Sequence, residues 1–82
     1  MKVQSVGVPK SGTRIFLNSE PDYRSELNLT VVLNAAALTG KWEKATPETF
    51  KDKVIRVTGT VSDFKGSPQV LVDDGSQIEL VE

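Results

Sequence analysis

Residues 27–34 show the cleanest alternation in the chain: Leu27, Leu29, Val31 and Leu33 fall on one side, and Asn28, Thr30, Val32 and Asn34 on the other. A period of two is the repeat of a β-strand, whose successive side chains point to opposite faces. One face must leave water while the other stays largely wet, so a second layer has to cover the apolar side. Similar runs recur along the chain, each cut after a few positions by turn residues. Residues 2–8 read as a first strand. Pro9-Lys10-Ser11-Gly12 ends it, because proline presets one dihedral and glycine permits a positive φ. Residues 13–18 (Thr-Arg-Ile-Phe-Leu-Asn) form a second strand, and 27–34 a third. Between them, 19–25 contains Pro21 and Asp22 and reads as a loop. Residues 54–64 make a long fourth strand, with Ile55, Val57, Gly59 and Val61 facing one way and Arg56, Thr58, Thr60 and Ser62 the other. Gly59 in its middle marks a bend or bulge. Lys65-Gly66-Ser67-Pro68 is a turn, 69–72 a fifth strand, Asp73-Asp74-Gly75-Ser76 another turn, and 77–81 a closing strand segment.

The stretch 35–52 has a different character. Asn34 can cap a short helix through Ala35-Ala36-Ala37-Leu38, and Gly40 can stop it. Thr46-Pro47-Glu48 repeats the start signal: a cap, proline at the first helical position, an acid in the first turn. Leu38, Trp42 and Phe50 are the apolar anchors of these pieces. The order is therefore three strands, a helical connection, two strands and a tail, in a chain of 82 residues. So short a chain makes one domain with a thin core, and curling into a barrel would hide most of its strand edges. The expected fold is an all-β, five-stranded OB-fold (Greek-key) barrel spanning 1–82, with a short helical connection between the third and fourth strands. Leu29, Val31, Ile55, Val57 and Val61 are expected to be buried.

Composition narrows the chemistry. The chain has no cysteine and no histidine. That removes disulfides, thiolate metal sites and the commonest general base and nucleophile. An enzyme is not expected, nor a cofactor or metal. Asp63, Asp73 and Asp74 can gather near one end of the fold, but their spacing matches no calcium loop and Asp-Asp-Gly-Ser is ordinary turn chemistry. Asn28-Leu29-Thr30 spells a glycosylation acceptor, placed inside a strand. The glycines form no phosphate-cradling loop. No apolar run is long enough to span a membrane, and Met1-Lys2-Val3-Gln4-Ser5 lacks the apolar core of a signal peptide. Net charge is −1, which gives no global attraction to phosphate. The charges are unevenly placed, however. Residues 1–62 hold nine Lys/Arg against six Asp/Glu, whereas 63–82 hold one lysine against five acids. Such asymmetry permits a local basic face, although scattered charges usually just solvate a surface.

The segments Ser11-Gly12-Thr13-Arg14-Ile15-Phe16-Leu17-Asn18, Leu29-Thr30-Val31-Val32, Lys53-Val54-Ile55-Arg56-Val57-Thr58-Gly59-Thr60-Val61, Lys65-Gly66-Ser67-Pro68-Gln69-Val70 and Ser76-Gln77-Ile78-Glu79 together resemble a family of bacterial OB-fold domains. That family is similar to the tRNA-anticodon and helicase type of nucleic-acid-binding OB domain. The resemblance covers nearly the whole chain and is strongest from 54 to 79. It implies the fold more than the ligand, because its motifs build the fold. The chain departs from the pattern in one respect: OB first strands are long and pair with two neighbours, whereas this one is cut by Pro9.

OB domains bind extended ligands across their second and third strands, flanked by the loops after the first and fourth. Here those loops carry Lys10 and Lys65. The outward face between them would present Arg14, Phe16, Asn18, Asn28 and Thr30, with Val32 beside them, and Tyr23 and Arg24 lie in the loop after the second strand. Cations for phosphate and a ring on which a base can stack are what a single strand requires. The direction of Phe16 stays open, because Ile15 and Leu17 beside it are also apolar. Two functions of different class are consistent with these residues. One is a weak, sequence-tolerant module for single-stranded DNA or RNA. The other is a protein-interaction or structural module of a larger bacterial protein, in keeping with the near-neutral charge and acidic tail.

Overall fold

In a computed structural model, which describes residues 1–8 and 14–81, seven short strands build two sheets. The larger has the order β1 (Ser5–Gly7), β2 (Ile15–Asn18), β3 (Thr30–Leu33), β6 (Ser67–Val72), β5 (Val61–Phe64). All its pairings are antiparallel except β3 with β6, which run parallel. The smaller sheet pairs β4 (Ile55–Val57) with β7 (Ile78–Leu80). Between β3 and β4 lie 3-10 turns at Ala35–Ala37 and Gly40–Trp42 and a one-turn helix α1, Pro47–Phe50. Thr46 starts α1 as its sequence suggests, with Pro47 in the first turn and the Thr46 N–H donating to Thr49 Oγ1 at 3.0 Å. Asn34 occupies the cap position of the first 3-10 turn, but its side chain makes no cap bond. It donates instead to Asp73 Oδ1 at 2.7 Å, tying the end of β3 to the end of β6.

The registers stack residues into rows across the large sheet. Leu17, Val31 and Val70 lie in one row, and Ile15, Leu33 and Val72 in another. These six face inward and are almost fully buried. Over them pack Trp42, Phe50, Ala37, Val3, Ile55 and Ile78 from the helical connection, the N-terminus and the small sheet, completing one core. Trp42 and Phe50 meet with ring centroids 5.2 Å apart, and the indole N–H donates to the Gly75 carbonyl at 2.9 Å. Satisfying that donor is what allows a tryptophan into so small a core.

The closed five-stranded barrel expected from the sequence is not what forms. The strands divide into an open five-stranded sheet and a two-stranded sheet. The cause lies in the supposed long strand at 54–64. It breaks at Thr58-Gly59-Thr60, so that its first part pairs with β7 and its second with β6. A Cβ on Gly59 would lie 2.9 Å from Val70 Cγ1, so the break sits against β6 where only hydrogen fits. β1 ends at Gly7 and forms no ladder with β5 among the described residues. The N-terminus approaches the small sheet only through a single bridge, Lys2 to Val54, with backbone bonds joining Met1 to Ile55 and Val3 to Lys53.

Burial follows alternation where a second layer exists. Val31 and Ile55 are buried, and Leu29 and Val57 pack partly against the core. Val61 was expected inside and is 59% exposed. It pairs with Val70, so it faces the correct side, but it lies on an outer strand that no other layer covers. Leu27 is likewise outside the third strand, which begins at Thr30, and is 81% exposed.

Candidate functional site

The outward rows of the same sheet form the floor of a groove of about 790 Å³. Gly7, Phe16, Val32 and Leu71 make an apolar row. One step along the face, two residues away on each strand, Ser5, Asn18, Thr30 and Gln69 make a polar row. Phe16 therefore points away from the core, between the inward Ile15 and Leu17, and the direction that sequence left open is decided by register. Tyr23, 68% exposed, and Phe64, 55% exposed, stand at the walls. Arg14 and Lys65 are the only charged side chains among the described lining residues. In a chain with eleven acids, no described aspartate or glutamate lines this groove.

Lys65 owes its position to the hairpin between β5 and β6. Phe64 pairs with Ser67, leaving Lys65 and Gly66 as a two-residue turn. Both have positive φ, 52° and 87°, the requirement of a type I′ turn, where asparagine and glycine are normally preferred. A lysine in the left-handed region costs on the order of 1 kcal/mol. Its ammonium sits 5.4 Å from the centroid of the Phe64 ring, so cation and aromatic face are presented together at the groove wall.

The polar row is anchored by a buried network. Asn28, only 3% exposed, accepts the Glu20 N–H on its Oδ1 at 3.2 Å. Its amide nitrogen donates to Thr30 Oγ1 at 2.9 Å and approaches both Asn18 Oδ1 and the Tyr23 carbonyl at 3.3 Å. Thr30 in turn donates to Asn18 Oδ1 at 2.8 Å. This network pins the loop between β2 and β3 to the strand ends.

Seven of the residues singled out in the sequence thus come together at the groove: Arg14, Phe16, Asn18, Tyr23, Thr30, Val32 and Lys65. Asn28 does not line it, because its side chain holds the loop from beneath; for the same reason the acceptor of the sequon Asn28-Leu29-Thr30 is buried. Arg24 is not at the groove either. It lies at 3.1 Å from Asp22, whose hydrogen bonds from Arg24 hold its carboxyl below the ordinary range, while the guanidinium is raised in return. Lys10 lies outside the described residues. Phe64, Gln69 and Leu71 line the groove and were missed. The alternation of Gln69 and Leu71 with the buried Val70 and Val72 carries the signal for two of them; Phe64 looked like the end of an unbroken strand.

Among the described residues no group of three or more His, Cys, Asp or Glu is placed to hold a metal ion, and no helix is long and apolar enough to cross a membrane. Comparison of the chain with protein-family models, with curated proteins and with solved structures finds no match.

Proposed function

We propose that the outward face of the five-stranded sheet binds single-stranded nucleic acid, weakly and with little dependence on sequence. What supports this is the sorting of groups at the groove: among the described residues three aromatic rings and two cations line it, and no acid does. An apolar floor with a cationic rim suits a ligand that carries flat, stackable faces on an anionic backbone. Base–aromatic stacking contributes about 1–3 kcal/mol per base, so Phe16, Tyr23 and Phe64 suffice for affinity in roughly the micromolar range or weaker. The two cations contribute through counterion release, with an expected salt slope of about −1.4 for two phosphate contacts on a single strand.

The test is an NMR titration of the ¹⁵N-labelled protein with an oligothymidylate of about eight nucleotides, long enough to cross the groove. Amides of Phe16, Val32, Lys65 and Leu71 should shift at low salt and less at high salt, and those of Trp42 and Phe50 should stay. No shift with excess strand at low salt would end the nucleic-acid reading. One observation favours a protein-interaction module instead: every residue of β5 is exposed at an outer edge of the sheet, where a peptide strand could pair. Such a partner would shift the Val61–Phe64 amides with little salt dependence.

A further inference from the structure

Asn18 is a buried polar residue, 6% exposed, that nevertheless lines the groove. The orientation of its amide follows from its neighbours. A backbone N–H can only donate, so the Glu20 N–H fixes which end of Asn28 is oxygen. The nitrogen of Asn28 is thereby turned toward Thr30, Asn18 and the Tyr23 carbonyl. Thr30 accepts from Asn28 and passes its own proton to Asn18 Oδ1. The Asn18 oxygen is thus held by two donors, and its nitrogen must be the outward end. No described residue accepts from that nitrogen, and no described side-chain N or O is both sealed from solvent and unpartnered. The groove therefore presents a fixed N–H donor whose companion acceptors are already engaged.

We propose that Asn18 is a specificity-determining residue of the groove, donating a hydrogen bond to a keto oxygen on the distal edge of a bound base, and so favouring thymine or uracil over cytosine. The proposal rests on the single-strand reading above and adds to its general tolerance of sequence a preference worth one hydrogen bond. Phe16 and Asn18 lie two residues apart on the outward face of β2, about 6.8 Å along the strand, and Arg14, just before β2, lines the same groove. A phosphate at Arg14 and a base on Phe16 direct the edge remote from the sugar toward Asn18. In a pyrimidine that edge carries position 4, a carbonyl oxygen in thymine and uracil and an amino group in cytosine. Facing the Asn18 nitrogen, the carbonyl gains a bond, while the amino group meets a second donor and neither is satisfied.

The experiment compares oligo-dT with oligo-dC of equal length, on the intact chain and on Asn18→Asp. In the aspartate variant one oxygen can still accept from Asn28 and Thr30, and the other replaces the outward donor by an acceptor. Oligo-dT should bind the native chain about 3- to 10-fold tighter than oligo-dC, the worth of one hydrogen bond. Asn18→Asp should weaken both strands through its charge and bring the dT:dC ratio to one or below. The native chain also gives a direct reading: the Asn18 side-chain amide resonances should move with oligo-dT and stay with oligo-dC. That reading decides the matter if the variant does not fold. Equal affinity for the two strands while the Phe16 and Val32 amides shift would overturn the role of Asn18 and leave single-strand binding standing. So would an unchanged ratio in Asn18→Asp. No shift with either strand would overturn both.

Discussion

Gly75→Ala should be among the most damaging of single-methyl additions to this chain. A Cβ at Gly75 would stand 2.8 Å from Trp42 Cδ1 and 3.2 Å from the Ala37 carbonyl oxygen. Carbon atoms pack at about 3.5–4.0 Å, so the indole would have to retreat by roughly 1 Å. It is poorly placed to do so: its N–H is bonded to the carbonyl of Gly75 itself, and its ring packs on the fully buried Phe50. Overpacking of this kind typically costs about 1–3 kcal/mol, and stretching the indole bond adds a further fraction of its roughly 1 kcal/mol. Against a total of roughly 4–12 kcal/mol for a domain of this size, a loss near 2 kcal/mol should lower the melting temperature by about 8–16 °C. Thermal unfolding followed by circular dichroism measures the loss. The emission of Trp42, the single tryptophan, shows whether the indole has moved toward water. Gly7→Ala is the control, since a Cβ there meets nothing within 4 Å; it should be neutral or slightly stabilising. A Gly75→Ala melt within about 2 °C of the native one, with unchanged emission, would mean that the Trp42–Gly75 contact is not a tight one.

Phe50→Ala should cost about 3–5 kcal/mol, the usual loss for a buried phenylalanine. Phe16→Ala on the groove face should cost much less and leave the salt slope of strand binding unchanged while weakening affinity, because stacking releases few ions; equal melts for the two variants would contradict the face assignment of β2. Asp22 and Asp74 have carboxyls held below the ordinary 3.8, Asp22 by hydrogen bonds from Arg24 and Asp74 by the Ser76 N–H. A lowered folded pKa stabilises the fold above the ordinary carboxylate value, and that stabilisation fades as pH falls through the lower value. Carbon-detected titration should therefore place both midpoints below 3.8, and midpoints at or above it would contradict the hydrogen bonds.

Alternation located the strands well wherever a strand was continuous and covered. The runs that became β2, β3 and β6 were legible because Ile15, Leu17, Val31, Leu33, Val70 and Val72 all face one core. The same rule failed at Thr58-Gly59-Thr60 and across the exposed β5. Period two says which residues share a face but not whether the backbone stays in one sheet, and Gly59 was consistent with a bulge inside a strand as well as with a break between two. The difference is made by distant residues. Val70 and Gln77 press on the Gly59 position, and β7 takes the first half of the segment as its partner. Closure of a barrel is a pairing between chain ends, and no local pattern encodes it.

Arg14 and Lys65 were legible in the sequence as groove cations, but Arg24 lies elsewhere, the direction of Phe16 was open, and the role of the most constrained residue, Asn18, was hidden. Asn18 and Asn28 looked alike in sequence, as amides on the same outward face. Their roles separate only when the loop 19–27 is folded back, because Asn28 then has the Glu20 N–H and the Tyr23 carbonyl within reach, while Asn18 keeps one end toward the groove. An amide has a donor end and an acceptor end, and burial of one end decides what the other offers. The decisive partner is a backbone group, identical at every residue, so no side-chain pattern could have pointed to it. The same logic applies to Lys65: its charge is visible in the sequence, but its place beside Phe64 follows from two positive φ angles in a turn. Where a lysine sits in a conformation that suits asparagine or glycine better, relieving the strain by substitution would also remove one of the two cations that the described residues bring to the groove, and stability and binding would then change in opposite directions.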